Sequence, residues 1–275
     1  MPQNFRPSQG DIAISWASHV IAVFHEKSDL SFSELIDYWG IKYLDKIGKP
    51  CKKTVLHDYI ECIMMDNYSY LIRKGFPAEV ISDLYVAIQF YNIDITRLGE
   101  YKFFHISDSD LLIGNYEDYE DAEIYADKLL DLFETELLGL IADDVFTILY
   151  SNKTFLHDFN VAFSDIVSTL KISDYPELLK EDGVIKRCDY LPSWLKDGVF
   201  FRDKGRCQIC GCDLTRLLQL DNKVNLDHIV PLQRGGTNDP INFQITCEHC
   251  NKSKQDRDTR STNLITPFWL LTASE

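Results

Sequence analysis

The sequence predicts an α+β protein in which a mostly α-helical N-terminal part precedes a small module of two strands and one helix. Three observations support this fold class. Apolar residues recur at helical spacing through residues 10–172. Two Cys-x-x-Cys pairs lie near the C-terminus and predict a four-cysteine zinc site. Between the pairs, the pattern reads strand, loop, strand, helix. We therefore expect a helical domain at 1–183 and a second domain at 184–275.

Composition places the chain among globular proteins. Of its 275 residues, 45% are hydrophobic and 12% are aromatic, which is enough to build a packed core. The first residues, Met1–Arg6, lack the basic-then-apolar layout of a signal peptide. No window reaches 18 apolar residues, so we expect no membrane span and a cytoplasmic protein.

The net charge of −15 is unevenly distributed. Residues 1–185 hold 15 Lys and Arg against 32 Asp and Glu, whereas residues 186–260 hold 13 against 10. An acidic surface repels a phosphate backbone, so a nucleic acid would have to bind the C-terminal part. The acidic stretch 107–144 fits a solvated helix face, a docking surface for a basic partner, or a guard against misplaced nucleic acid.

Helical periodicity fills most of the N-terminal part. It predicts five helices, which contain Val20, Trp39, Ile60, Leu84 and Phe133 in that order. A sixth is expected within 143–172, while 98–117 fits a strand or a loop.

Capping signals refine the boundaries of three of these helices. Ser31 and Glu34 form a capping box for the second helix, whose apolar positions continue to Ile47. The third helix ends before Gly75, and Pro77 fits the first position of the fourth.

Residues 173–183 mark the expected domain boundary. Pro176 and Gly183 interrupt regular structure there, and the charge balance changes just afterwards. A short helix that begins near Pro192 is expected to lead into the first cysteine pair.

The eight cysteines indicate metal binding. Four of them form the two Cys-x-x-Cys turns, and each turn presents two thiolates to one tetrahedral ion: Cys207, Cys210, Cys247 and Cys250. A site closed by four cysteines has no open coordination position, so this Zn²⁺ is expected to be structural. Two alternatives remain open, namely two disulfides and an exchange of one ligand for Cys212 or His249.

The residues between the pairs carry the chemistry. Leu226–Val230 alternates like a short strand, which places Asp227 and His228 on opposite faces. A loop by composition follows at 235–240, then a second strand from Asn242, and then a helix that begins at the second cysteine pair.

This passage resembles the HNH endonuclease family with its ββα-metal fold, in the zinc-stapled subgroup. The resemblance rests on Leu226-Asp-His-Ile-Val-Pro, the Gly-Gly-Thr-Asn-Asp-Pro-Ile-Asn run that ends at Asn242, and Cys247-x-x-Cys-Asn-Lys-x-Lys254. It covers roughly 190–258, about a quarter of the chain. The third letter of the motif, often His in the family, is Asn251 here, which bears on the metal preference.

The resemblance implies a role for each residue. His228 would be the general base that takes a proton from the attacking water. Asp227 and Asn251 would hold one Mg²⁺ or Mn²⁺. Asn242 would orient His228 or its loop. The expected phosphate contacts are Lys252, Lys254, Arg257 and Arg234, for each of which an ordinary solvated charge is the alternative.

The function expected from these residues is hydrolysis of phosphodiester bonds in DNA. A chain of this architecture resembles effector nucleases of bacterial anti-phage systems, such as the HNH partner of an ATPase in Septu-type systems. A protein partner, for example an ATPase subunit, would then dock on the acidic helical domain. The alternatives are an RNase with the same site and a non-catalytic interaction protein scaffolded by zinc.

Overall fold

In a computed structural model, the chain is described over residues 9–26, 32–98, 116–217 and 223–254 and at residue 259. The α-helices in these ranges are α1 Gln9–His25, α2 Phe32–Tyr38, α3 Leu44–Ile47, α4 Val55–Arg73, α5 Pro77–Tyr91, α6 Tyr116–Leu132, α7 Leu138–Ser151, α8 Lys153–Thr169, α9 Ser193–Arg202 and α10 Glu248–Lys254. The strands are β1 Leu179–Glu181, β2 Val184–Ile185, β3 Val224–His228 and β4 Phe243–Cys247. This order confirms the predicted fold class. None of the described helices is long and apolar enough to span a membrane.

The chain divides into two compact units that differ from the predicted domains. The first unit comprises Met1–His25 and Tyr59–Ile148, and the second comprises Glu26–Asp58 and Leu149–Glu275. The predicted boundary after residue 183 therefore lies inside the second unit. Charge separates with the units: the first holds 6 Lys and Arg against 20 Asp and Glu, and the second holds 22 against 23.

The first unit is built from helices that pack through apolar faces. Helix α5 begins at Pro77, as predicted, and ends at Tyr91. The next residue, Asn92, caps it with a left-handed backbone (φ 57°) whose amide donates to the Ile88 carbonyl. A π-helical turn at Phe133–Leu137 joins α6 to α7. Tyr68 packs edge-on against Phe133, with ring centroids 5.1 Å apart. Such burial of large aromatic side chains is the main stabilising term of a helical core.

The second predicted helix is wrong in extent. A single helix through Ile47 was expected, but α2 ends at Tyr38 and α3 begins at Leu44. Gly40 interrupts the chain in a left-handed conformation (φ 63°), which glycine adopts without steric cost. The predicted capping residue Ser31 and residues 99–115 lie outside the described part of the chain.

The second unit contains both hairpins and helix α8. Asn152 caps α8 by accepting a hydrogen bond from the Phe155 amide at 3.1 Å, and α8 then buries a row of phenylalanines. Strands β1 and β2 form a short antiparallel hairpin across the end of the expected domain boundary, with Gly183 (φ 70°) at its turn. Helix α9 begins at Ser193, as predicted, and buries Leu195 and Val199.

Candidate active site

The four predicted zinc ligands come together. The sulfur atoms of Cys207, Cys210, Cys247 and Cys250 all lie within 4.8 Å of one another. Zn–S bonds of about 2.3 Å in a tetrahedron require sulfur separations of about 3.8 Å. The Cys210 and Cys247 sulfurs are 3.9 Å apart, so the cluster fits a zinc site.

Both turns of the cluster are set by local backbone structure. In the first, the Gly211 amide donates to the Cys207 carbonyl at 2.8 Å, and Gly211 adopts a left-handed conformation (φ 75°). In the second, Cys247 ends β4 and the Cys250 amide on α10 donates to the Cys247 sulfur at 3.4 Å. Burial raises the pKa of the Cys207 thiol, whereas the pKa of Cys210 falls to about 7 because hydrogen bonds from Cys212 and other cysteines outweigh its burial.

Strands β3 and β4 form the platform for the predicted catalytic residues. The antiparallel register places Asp227 opposite Gln244 and His228 opposite Phe243. Neighbouring residues of a strand point to opposite faces. Asp227 and His228 therefore have different surroundings, although they are adjacent in sequence.

His228 occupies a tightly defined position at the end of β3. Its side chain is buried, and its ring packs against Phe243 with centroids 4.5 Å apart. Its Nε2 atom lies 3.2 Å from Oδ1 of Asn238, a fully buried residue. We did not single out Asn238 from the sequence. The available signal was that it is an asparagine ten residues after the histidine, in a loop rich in glycine.

The hydrogen bonds of Asn238 fix the orientation of its amide. Nδ2 donates to the carbonyls of Gly48, at 3.0 Å, and Lys186, at 2.8 Å. A carbonyl oxygen accepts only, so Nδ2 must face these two groups and Oδ1 must face His228. In the neutral ring, Nε2 therefore carries the proton and Nδ1 carries the lone pair.

Asn242 holds the loop that follows β3. Its Oδ1 accepts from the Val230 amide at 2.8 Å, and its Nδ2 donates to the carbonyls of Val230, at 3.0 Å, and Thr237, at 2.9 Å. The residue is fully buried. These bonds are to backbone groups, so the contact to the His228 ring comes from Asn238 instead.

The two glycines of this loop permit its close packing. Gly235 adopts φ 76°, and a Cβ atom there would lie 2.5 Å from the Ser164 carbonyl oxygen of α8. A Cβ on Gly236 would lie 1.9 Å from the Val230 carbonyl oxygen. Asn160 of α8 also donates to the Ile241 carbonyl at 3.1 Å. Helix α8 thus supports the loop, although we expected it to belong to the N-terminal domain.

Asp227 is ion-paired. Its Oδ2 accepts from the Lys254 ammonium at 2.7 Å and from the Gln244 side chain at 3.3 Å. The Lys254 side chain is only 1% exposed, and its ammonium also donates to the His228 carbonyl. We expected Lys254 to contact phosphate, but the structure buries it between α10 and β3, where it neutralises Asp227.

The other predicted site residues have different degrees of exposure. Asn251 is half-buried on α10. Lys252 is exposed and pairs with Glu248 at 2.7 Å, and Arg234 is also exposed. Arg257 lies outside the described residues.

The donor set at Asp227 suits a hard divalent cation. Mg²⁺ and Mn²⁺ prefer carboxylate and amide oxygens, and Asp227 on β3 and Asn251 on α10 carry oxygens of these two types. The Asp227 side chain is 16% exposed, and the Lys254 ammonium already lies at one of its oxygens. In this structure the Asp227 carboxylate is therefore neutralised by Lys254.

A buried ionic cluster around Asp203 contacts β4 through the Ile245 amide. Asp203 accepts from Lys153 at 3.2 Å, from Arg202 at 2.8 Å and from the Ile245 amide at 2.8 Å. Burial, reinforced by the Arg202 charge, lowers the pKa of Lys153 to about 7. Sequence periodicity carried no signal for this cluster, because Lys153 and Asp203 are 50 positions apart.

Asp239 joins the loop to the segment that precedes α4. Its carboxylate accepts from the amides of Val55, at 2.9 Å, and Ile241, at 3.0 Å. Burial raises the pKa of Asp239 to about 6, although both backbone hydrogen bonds favour the ionised form. Because it accepts from the Val55 amide, Asp239 caps the first turn of α4.

Comparison with known proteins gives one family. Neither the curated proteins nor the solved structures contain a match to the chain. Residues 207–257 match a family described as HNH endonuclease, and this range contains the four-cysteine cluster together with Asp227 and His228. The match covers 51 of the 275 residues, so residues 207–257 are similar to the HNH endonuclease family.

Proposed function

We propose that the chain is a metal-dependent endonuclease that hydrolyses phosphodiester bonds of DNA, with His228 as general base. The observation that carries this proposal is the paired orientation of His228 and Asn238. Because Asn238 accepts from Nε2, the basic nitrogen of the neutral ring is Nδ1. A base held in one tautomer needs no rearrangement before it takes a proton.

We propose a reaction in which this arrangement supplies the base. Water attacks the phosphorus atom while Nδ1 of His228 takes one of its protons. The bond between phosphorus and the 3′ oxygen breaks, and the leaving oxygen takes a proton from solvent. The imidazolium that forms keeps its hydrogen bond to Asn238, which stabilises the new charge.

Asp227 and Asn251 would hold the Mg²⁺ or Mn²⁺. When bound, the cation stabilises negative charge on the phosphate and on the leaving oxygen. Lys254 holds Asp227 at 2.7 Å and so fixes the carboxylate before any cation arrives. For Lys252, Arg234 and Arg257 we retain the proposal of phosphate contacts, whereas Zn²⁺ at the four cysteines would be structural.

For the first unit we propose recognition of a protein rather than of DNA. Its Lys and Arg number 6 against 20 acidic residues, so it repels a phosphate backbone and attracts a basic surface. We propose a basic partner, such as an ATPase subunit, and a role in bacterial anti-phage defence or restriction. Purification from the host with neighbouring genes intact, followed by identification of the bound proteins, tests this part.

Plasmid cleavage tests the catalytic part. Purified protein is incubated with supercoiled DNA and Mg²⁺ or Mn²⁺, beside the variants His228→Ala and His249→Ala. His249 is an exposed histidine of the same module and lies outside the four-sulfur cluster. We expect His228→Ala to lower the rate by about 10²–10⁴-fold, the usual contribution of a general base. His249→Ala should cleave like the wild type.

Three results would contradict the proposal. Cleavage that persists in His228→Ala excludes this residue as the base. Cleavage of RNA but not of DNA, measured in a parallel reaction, identifies an RNase. If the wild type cleaves neither substrate, alone or with its co-purified partner, the non-catalytic alternative holds.

A further inference from the structure

A lysine-rich loop lies next to the candidate active site, although it is remote from it in sequence. Residues 42–53 contain five lysines and one acidic residue in a chain whose net charge is −15. The second half of this stretch belongs to the loop 48–54, which connects α3 to α4. Lys49 and Lys52 in this loop are exposed.

Three hydrogen bonds fasten both ends of this loop to the residues that hold His228. At its start, the carbonyl of Ile47 accepts from the Asn238 amide at 2.8 Å, and the carbonyl of Gly48 accepts from the Asn238 side chain at 3.0 Å. At its end, the Val55 amide donates to Asp239 at 2.9 Å. A single side-chain amide therefore separates the backbone of this loop from the His228 ring.

A second basic stretch reaches the same amide. The Lys186 carbonyl accepts from Nδ2 of Asn238 at 2.8 Å, and the next residue, Arg187, is exposed. Because one nitrogen donates to both Gly48 and Lys186, the two backbones lie beside each other. We call Lys49, Lys52 and Arg187 the basic rim. These residues come shortly after Gly48 and Lys186, whose carbonyls hold the Asn238 side chain against the His228 ring.

Acidic groups compensate only part of this charge, with Asp189 exposed two residues after Arg187. Asp58 is paired with Lys46 at 2.5 Å. Asp239 is buried and accepts two backbone hydrogen bonds. Asp45 is the one exposed acidic residue between positions 42 and 53. An exposed cationic surface next to a phosphodiesterase site attracts the phosphates that flank the scissile bond.

We infer that the basic rim contacts the phosphate backbone of the DNA substrate and positions it over His228. This inference rests on the proposed function and adds to it a binding surface contributed by a segment outside the HNH match. It also separates two roles in the N-terminal half, since residues 42–53 bind substrate while the acidic first unit repels it.

The salt dependence of binding measures these contacts. In a His228→Ala background, which prevents cleavage, a fluorescein-labelled DNA duplex is titrated by fluorescence anisotropy over a range of KCl concentrations. The rim variant carries Lys49→Gln, Lys52→Gln and Arg187→Gln. Loss of three phosphate contacts should make the slope of log K against log salt less negative by about 2.7, and binding should weaken at least tenfold, the order expected at moderate salt.

A matched variant controls for net charge. It carries Arg73→Gln, Lys74→Gln and Lys128→Gln, which are exposed cations of the first unit and give the same change in charge. We expect its salt slope to equal that of the background protein. Thermal unfolding of both variants verifies that these surface substitutions leave the fold intact.

The outcomes separate the two proposals. If the rim variant binds with the same slope and affinity as the control, the rim makes no phosphate contact and the inference fails, even where the wild type cleaves plasmid. If the rim determines DNA binding but the wild type never cleaves, the proposed catalysis fails and the binding surface stands. Rim-dependent binding of RNA alone, or no binding of DNA at all, overturns the inference.

Discussion

Replacing Asn238 by aspartate tests the central interaction of the candidate site. Asn238→Asp exchanges the NH₂ group for an oxygen at nearly constant volume, so it creates no cavity. In the native protein, Nδ2 donates to the Gly48 and Lys186 carbonyls at 3.0 and 2.8 Å from a fully buried position. After the substitution, these two carbonyls face an oxygen instead of a donor.

The magnitude follows from these two bonds. A buried acceptor that loses its partner costs about 1–3 kcal/mol, so the two together cost about 2–6 kcal/mol. Protonation of the new carboxyl group would restore one bond and bring the loss towards the lower end. Because domains are commonly stable by about 5–15 kcal/mol, urea unfolding should detect the change easily.

The control is Asn225→Asp on strand β3. Asn225 is half-buried and donates a single long hydrogen bond, to the Lys223 carbonyl at 3.4 Å. The same charge is introduced there, and the free energy of unfolding should change by less than about 0.5 kcal/mol. If Asn238→Asp is no more destabilising than this control, the assigned amide orientation is wrong.

Kinetics give an independent readout at Asn238. A carboxylate next to Nε2 stabilises the imidazolium form of His228, so the ring loses its proton at higher pH. The acidic limb of the pH–rate profile of plasmid cleavage should therefore move to higher pH in Asn238→Asp. An unmoved limb in a folded variant would refute the proposed contact between Asn238 and the general base.

Three further predictions concern the loop, the zinc site and the effect of pH. Gly236→Ala places a Cβ atom 1.9 Å from a backbone oxygen and should lower the midpoint of thermal unfolding by at least about 10 °C. In the control Gly198→Ala, the new Cβ atom has nothing within 4 Å, and the midpoint should not fall. Cys250→Ser should abolish bound zinc, measured by metal analysis, whereas Cys188→Ser should retain it; retention in both would exclude the four-sulfur site. The pKa of Asp239 is raised to about 6 from 3.8, so the folded state binds this proton more tightly than the unfolded state does. The resulting stabilisation of the fold is complete below pH 3.8 and is lost as pH rises through 6. Between pH 4.5 and 7, roughly, the free energy of unfolding of the wild type should thus fall relative to Asp239→Asn, and parallel pH curves would contradict this.

Sequence patterns were accurate where local physics decides the structure. The helix at Pro77 begins as predicted, because proline has a suitable backbone angle and lacks only an amide hydrogen that a first helical turn leaves unpaired. Each Cys-x-x-Cys turn forms as predicted, because a short turn is enough to present two sulfurs, and the two pairs also come together across 37 positions. The prediction of a single helix through Ile47 failed at Gly40. The apolar spacing continues past this glycine, but its left-handed backbone interrupts the helix.

The sequence by itself determined the fold class, the four-cysteine cluster and the HNH module, since these depend on residue types at short and fixed spacing. The tertiary structure alone revealed the partners of the predicted catalytic residues. Asn238 and Gly48 are 190 positions apart, and Lys254 reaches Asp227 across 27. Such contacts depend on how β3, β4 and α10 pack and on where α3 and α4 meet them, and hydrophobic periodicity does not encode that arrangement.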